Sequence, residues 1–182
     1  MRCVDLELLG KAGFVSRYGG LYEHSPWVAE SAWQQLKINK NTSDKNTSIE
    51  ALRLHLQQCV NNASKEQKLL LLRAHPELAG KAAVEGSLTA ESTGEQASAR
   101  LDMCSTQEFE RFQELNAKYN EKFGFPFILA VRNKTRAEIL TAFELRVNND
   151  QAVEFDTALE QVHQIATLRL NALEGVTIQA GK

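Results

Sequence analysis

The chain alternates between long segments of helical periodicity and short polar breaks. Apolar residues recur every three or four positions within residues 109–119 and 139–145, and residues 69–72 form a continuous apolar run. The longest such segment, residues 155–173, keeps this spacing for about five turns, which is typical of an amphipathic helix with one buried face. The pattern predicts an all-α fold, a single-domain multi-helix bundle over residues 1–182, with about two thirds of the residues in helices.

Helix starts can be read from the residues that cap them. Ser25 followed by Pro26 predicts an N-cap with proline at the first helical position. Four further pairs have the spacing of a capping box, in which the cap and the third helical residue bond to each other's backbone: Ser64 with Gln67, Ser92 with Glu95, Ser105 with Glu108, and Thr135 with Glu138.

Two segments break the helical pattern. Residues 38–48 are polar, repeat the string Lys-Asn-Thr-Ser and lack apolar anchors, so they predict a mobile surface loop. Gly124 and Pro126 end a helix, and Phe125 must be extended because proline follows it. Taken alone, residues 123–131 suggest a short buried strand, but the predicted bundle offers this segment no strand partner. Its backbone groups then need other partners, and we expect this extended Phe-Pro-Phe segment to line a ligand pocket.

Composition narrows the function classes. A net charge of −2 and a pI of about 6.1 argue against a nucleic-acid partner. No apolar stretch approaches the roughly 18 residues of a membrane span. The acidic residues near the N-terminus do not suit a signal peptide, so a cytoplasmic protein is expected. The four histidines show no paired spacing and the three cysteines no Cys-x-x-Cys motif, so no metal site is predicted.

Three titratable or charged side chains are candidates for chemistry. His75 precedes Pro76 at the end of an apolar helical run, where the backbone must break, and an imidazole there can exchange protons near neutral pH. Glu95 lies at a predicted helix N-terminus, where free N–H groups attract anions. Arg169 lies among core-facing residues of the last helix and can clamp a carboxylate or a urea oxygen. Each also has an ordinary structural interpretation, as a packing residue, a helix cap and a snorkelling arginine respectively.

A set of short motifs in one order makes the chain recognisable. The motifs are Tyr22-Glu23-His24-Ser25-Pro26-Trp27-Val28-Ala29-Glu30, His75-Pro76-Glu77-Leu78-Ala79-Gly80-Lys81, Ser92-Thr93-Gly94-Glu95-Gln96, Phe123-Gly124-Phe125-Pro126-Phe127-Ile128-Leu129-Ala130-Val131-Arg132, and Ile139-Leu140 with Arg146 and Asn148. Together they resemble the 2-oxo-4-hydroxy-4-carboxy-5-ureidoimidazoline (OHCU) decarboxylase family, over about residues 14–173.

The resemblance implies an all-helical, homodimeric, cofactor-free carboxy-lyase that yields (S)-allantoin from OHCU in urate degradation. It implies that His75 is the proton donor, and we expect Glu95 and Arg169 to complete the catalytic set. The substrate-binding positions that it implies, besides Glu95 and Arg169, are Pro76, Ser92, Thr93, Gly94, Gln96, Phe127, Ile128, Leu129, Ala130 and Val131.

Two other functions stay open at the level of sequence. One is a non-enzymatic helical interaction module, in which the His-Pro break is only a corner of the chain. The other is a hydrolase or isomerase that acts on another ureide through the same three side chains. An enzyme should gather His75, Glu95 and Arg169 around one cavity, whereas an interaction module would scatter them.

Overall fold

The structure, a computed structural model, describes residues 3–38, 46–80 and 86–176 and is mostly helical. The elements are β1 (Cys3–Asp5), α1 (Leu6–Tyr18), α2 (Trp27–Ile38), β2 (Asn46–Ser48), α3 (Ile49–Asn61), α4 (Lys65–Arg73), α5 (Ala90–Ser98), a 3-10 turn (Leu101–Met103), α6 (Thr106–Phe123), α7 (Arg136–Arg146) and α8 (Gln151–Leu173). The prediction of an essentially all-helical fold is confirmed.

A small antiparallel strand pair departs from the prediction. β1 pairs with β2 so that Val4 lies opposite Thr47. The predicted loop 38–48 is therefore wrong at both ends, because residue 38 closes α2 and residues 46–48 form β2. Residues 39–45 lie outside the described part of the chain. The polar composition of β2 concealed it, since its pairing depends on a segment near the start of the chain.

Local capping signals set most of the helix starts. The boxes at Ser105 and Thr135 are both complete, each with its glutamate bonded back to the cap. The side chain of Ser64 and that of Gln67 also bond to each other's backbone N–H. The box predicted at Ser92 is wrong, because α5 begins at Ala90 and Thr89 is its cap.

The chain divides into two compact units. The first contains residues 1–71 and 163–182. Within it α2 packs against α1 and α3, and the Phe14 ring lies 4.8 Å from that of Tyr18 and 5.3 Å from that of Trp33. Leu52 and Val60 of α3 are fully buried in this unit.

The second unit contains residues 72–162. Its centre is Tyr119 of α6, whose ring makes edge contacts with Phe125, Phe127 and Phe143. All of these side chains are buried. The aromatic cluster therefore anchors the non-helical segment after α6 to the helices around it.

Candidate active site

His75 lies at the predicted break in the backbone. Helix α4 ends at Arg73, and the His75 N–H donates to the Leu72 carbonyl in a final turn, at 3.2 Å. Nε of Arg73 donates to the Gly124 carbonyl at 2.8 Å, which ties the end of the helix to the start of the extended segment. The end of α4 at Arg73 confirms the backbone break predicted at His75. His75 is 7% exposed, so it is shielded from bulk water.

The loop that follows His75 is held by amide side chains of two helices. Ala79 adopts a left-handed conformation with φ 49°, which is unfavourable for a residue with a side chain unless its surroundings impose it. The side chains that bond to residues 77–79 are Gln96 of α5, through both its amide oxygen and its amide nitrogen, and Gln113, Asn116 and Asn120 of α6. These contacts bring the His75 loop and α5 together.

Helix α5 presents one buried face and one exposed face. Ser92 and Gln96 are buried, Glu95 is half-buried, and the spacing of i, i+3 and i+4 places the three on one side. Thr93 and Gly94 lie on the exposed side. The expectation of free N–H groups from Ser92 onward is wrong, because the N–H groups of Ser92 and Thr93 donate to Thr89. What this part of α5 offers a ligand is side chains.

The segment 127–131 is buried but takes part in no strand. Its five residues are at most 8% exposed, and the Phe127 ring stacks on Phe143 at 3.9 Å. Two side chains reach its backbone. Arg146 Nη1 donates to the Ile128 carbonyl at 2.8 Å, and the Ala130 N–H donates to Gln161 at 3.1 Å. The prediction that this segment breaks the helical pattern is confirmed. Its place as a pocket wall stays a prediction.

Sequence reasoning missed the carboxylate that fixes Arg146. Glu154 is fully buried, and its Oε1 accepts from the Tyr119 hydroxyl and from Nε of Arg146, the latter at 2.9 Å. Its Oε2 accepts from Asn149 at 2.7 Å. Burial and the Glu154 hydrogen bond both raise the pKa of Tyr119, so the phenol stays a proton donor to this carboxylate. Only the Glu154 position on the apolar face of α8 could have signalled a buried acid.

Arg169 lies in the first unit, where it is paired with an acid that sequence reasoning did not single out. Its Nη1 lies 2.8 Å from Oε2 of Glu23, and both side chains are at most 5% exposed. The same Nη1 also reaches the Gly20 carbonyl, at 3.4 Å. Buried charges in proteins are normally paired in this way. Glu23 belongs to the first motif of the sequence resemblance, which is the signal that could have found it.

His163, in the first unit, is held neutral. Nδ1 of His163 lies 3.0 Å from the Tyr22 hydroxyl, and its Nε2 lies 3.1 Å from Oδ1 of Asn61. Burial, with the nearby positive charges of Arg53 and Lys68, lowers the pKa of His163 to about 4. The imidazole therefore serves as a neutral hydrogen-bonding link across this unit.

Other features of the described residues lie apart from the candidate site. A cleft of about 480 Å³ in the second unit is lined by Arg100, Glu108, Lys134 and Arg136 among others, and by none of the predicted site residues. Among the described residues no group of three potential metal-ligating side chains occurs. None of the described helices has the length and apolar character needed to cross a bilayer.

Comparison with known proteins decides the family. The sequence model of the OHCU decarboxylase family matches residues 8–171, nearly the whole chain. The chain belongs to this family. Its relatives include the 2-oxo-4-hydroxy-4-carboxy-5-ureidoimidazoline decarboxylase of Haloferax volcanii, 45% identical over 157 residues that cover 86% of each chain. The mouse (Mus musculus) decarboxylase of the same name is 36% identical over 175 residues, which cover 96% of this chain and 94% of the relative.

A solved structure shares the fold of this chain. The crystal structure of an (S)-allantoin synthase superposes with a TM-score of 0.71 at 36% identity and covers 93% of this chain. This chain spans about half of the synthase chain, 54% of it. The family's sequence pattern therefore runs through both described units, from α1 to α8.

Proposed function

We propose that this protein decarboxylates OHCU to (S)-allantoin in urate degradation, without a cofactor, as a cytoplasmic homodimer. The observation that carries the proposal is the buried His75 at the end of α4, within a chain that matches the family almost from end to end. The curated relatives in Haloferax volcanii and mouse carry the decarboxylase name, and a relative from Bacillus sp. is named a uric acid degradation bifunctional protein.

The substrate itself supplies the electron sink. The carbon that bears the carboxylate also bears a hydroxyl and adjoins the ring C=N carbon, which bears the ureido group. When the bond to carbon dioxide breaks, its electron pair forms a C=C bond and the C=N pair moves to nitrogen, which takes up a proton. The hydroxyl then loses its proton to become the ring carbonyl, and the C=C pair takes a proton at the ureido-bearing carbon. One proton is consumed in total, and the last protonation sets the handedness of the product.

His75 is the group proposed to deliver the proton that sets this handedness. A donor held rigidly on one side of the planar intermediate protonates one face only, and positioning with a matched acid supplies several orders of magnitude in rate. The anchored loop suits this role, because Gln96 and Gln113 fix the backbone at Ala79, four residues beyond the imidazole. Since the ring is buried, bulk water has little access to the intermediate from this side.

The remaining site residues are proposed to bind and orient the substrate. Glu95 on the half-buried edge of α5 would accept a hydrogen bond from the substrate hydroxyl or ureido N–H. Ser92, Pro76 and the backbone of residues 127–131 would contact the ring. Arg169 is proposed as the forked donor to a carboxylate or urea oxygen, which is the chemistry that guanidinium groups serve best.

What happens to OHCU distinguishes the proposed function from the two alternatives. The experiment adds the protein to freshly generated OHCU and follows carbon dioxide release together with optical activity. A decarboxylase releases one carbon dioxide per substrate and builds the optical activity of (S)-allantoin. A hydrolase or isomerase would consume substrate without carbon dioxide, and an interaction module would leave the substrate to decay at the rate of a protein-free control.

A further inference from the structure

Two half-buried side chains, those of Arg146 and Gln161, bond to adjacent peptide groups of the segment 127–131. Arg146 donates to the Ile128 carbonyl at 2.8 Å, and Gln161 accepts from the Ala130 N–H at 3.1 Å. These two backbone groups flank Leu129. The peptide unit before Leu129 and the peptide unit after it are each held by one side chain.

Peptide planarity carries this restraint across to Leu129. The described chain contains no cis peptide bonds, so in each peptide unit the C=O and N–H point in opposite directions. Because Arg146 holds the Ile128 carbonyl, the Leu129 N–H must point away from Arg146. Because Gln161 holds the Ala130 N–H, the Leu129 carbonyl must point away from Gln161.

Leu129 is 8% exposed, and no described residue makes a hydrogen bond to its N–H or its carbonyl. Buried backbone groups normally make hydrogen bonds. The Leu129 N–H and carbonyl, whose directions are set by Arg146 and Gln161, can therefore bind a ligand. A group that carries an N–H and a C=O side by side, as an amide or a ureide does, satisfies both.

Arg146 is itself held in place by a rigid surround. Glu154, which is fully buried, accepts from its Nε at 2.9 Å, and the Phe127 ring centroid lies 4.6 Å from its guanidinium carbon. The guanidinium fork is thus shared between Glu154 on one edge and the Ile128 carbonyl on another. A lysine ammonium cannot copy this shared planar geometry.

We propose that Arg146 and Gln161 are positioning residues, which orient the Leu129 N–H and carbonyl to bind the amide or ureide edge of the substrate. This inference rests on the proposed function, because it takes residues 127–131 as substrate-binding. Neither side chain needs to touch the substrate. Each acts through the peptide unit that it holds.

The test compares pairs of variants that keep or remove each anchor. Gln161→Met removes the acceptor with little change in size, whereas Gln161→Glu keeps an acceptor for the Ala130 N–H. Gln164→Met, an exposed site three residues further along α8, is the matched control for the substitution. Arg146→Lys removes the fork, and Arg136→Lys is its control because Arg136 also bonds to a glutamate and a backbone carbonyl, those of Glu108 and Arg100.

The measurements are KM and kcat for OHCU, the Kd for (S)-allantoin, and a thermal melt of each variant. Loss of one oriented hydrogen bond should raise KM and Kd by about three- to tenfold in Gln161→Met, with kcat changed less than about twofold. Gln161→Glu should restore most of the affinity, and Gln164→Met should match the wild type. Arg146→Lys should raise KM and Kd by at least as much. If its melt shows loss of folding, the Gln161 pair still decides.

Two results would overturn the inference, and they are distinguishable from each other. If the wild type is active and Gln161→Met keeps wild-type KM and Kd, the anchors do not direct the binding groups although the proposed function stands. If the wild type neither turns over OHCU nor binds (S)-allantoin, the proposed function fails and takes the inference with it.

Discussion

Arg169 combines deep burial with a permanent positive charge. Its side chain is 5% exposed and lies 2.8 Å from the carboxylate of Glu23, which is 1% exposed. Removing one partner of a buried ion pair typically destabilises a protein by about 3–5 kcal/mol, because the other charge stays buried. Alanine at either position would therefore confuse loss of binding with loss of folding.

Lysine at position 169 separates loss of binding from loss of folding. Arg169→Lys keeps a positive charge for Glu23 but loses the planar fork, so the variant should fold and its Kd for (S)-allantoin should rise about ten- to hundredfold. Isothermal titration measures this change. Arg17→Lys is the matched control, because Arg17 also pairs with a glutamate, Glu174, but is 42% exposed. Wild-type affinity in Arg169→Lys would mean that Arg169 does not grip the ligand.

Helix α7 and its N-cap contain two threonines whose side chains make different hydrogen bonds. Thr135 caps its N-terminus and bonds to the Glu138 N–H, whereas Thr141 lies exposed within the helix and bonds only to the Ala137 carbonyl. Thr135→Ala should lower the free energy of unfolding by about 1 kcal/mol, while Thr141→Ala should change it by less than about 0.5 kcal/mol. Urea denaturation of both variants measures the difference. Equal losses would show that the cap does not stabilise α7.

Whether a feature could be predicted from the sequence depends on how far apart its partners lie along the chain. The boxes at Ser105 and Thr135 involve partners three residues apart, so the sequence alone contains them. At Ser92 the spacing was present but Thr89, three residues earlier, caps α5 instead. The pairing of β1 with β2 joins distant segments, and no local pattern marks polar residues 46–48 as a strand.

The candidate site shows the same limit. His75 could be placed at a break because Pro76 is its neighbour in sequence, and the structure confirms that helix α4 ends just before it. No periodicity could have predicted that Glu23 pairs with Arg169. The position of Glu154 on the apolar face of α8 signals its burial but not its partner, Arg146. Charged residues are expected at the surface, and only the tertiary fold decides which of them are buried in pairs.

His163 predicts how the stability of the whole molecule depends on pH. Burial lowers its pKa to about 4 from the ordinary 6.5. As the pH falls below about 6.5 the unfolded chain takes up a proton, while the folded protein does not until about 4, so stability is present above 6.5 and is lost as the pH falls toward 4. The free energy of unfolding that is lost over this pH range, because the buried ring stays neutral, is at most about 3 kcal/mol.

The measurement is urea denaturation at pH 7 and pH 4.5 for the wild type and His163→Gln. The wild type should lose more stability over this interval than the variant, by about 1–3 kcal/mol, because only the wild type has this imidazole to protonate. Parallel losses in the two proteins would show that His163 does not carry this part of the pH dependence.

The proposed homodimer can be tested through the mass of the protein in solution. Leu8 and Leu145 are 85% and 68% exposed, so apolar surface remains available on the described chain. Light scattering at micromolar concentration should give a mass near twice the 20.4 kDa of the chain. A single species at the mass of one chain would contradict the dimer and would leave the proposed chemistry untouched.

The most direct test of the proton donor compares wild type, His75→Ala and a control, His55→Gln, on freshly generated OHCU. His55 lies in α3 and is not among the candidate site residues. Circular dichroism follows the formation of (S)-allantoin, and a thermal melt checks that each protein is folded. If His75 donates the proton, His75→Ala slows stereospecific formation by about two to four orders of magnitude while still binding (S)-allantoin, and His55→Gln behaves as wild type. If His75→Ala keeps more than about a tenth of the wild-type rate with the same product handedness, a group other than His75 donates the proton.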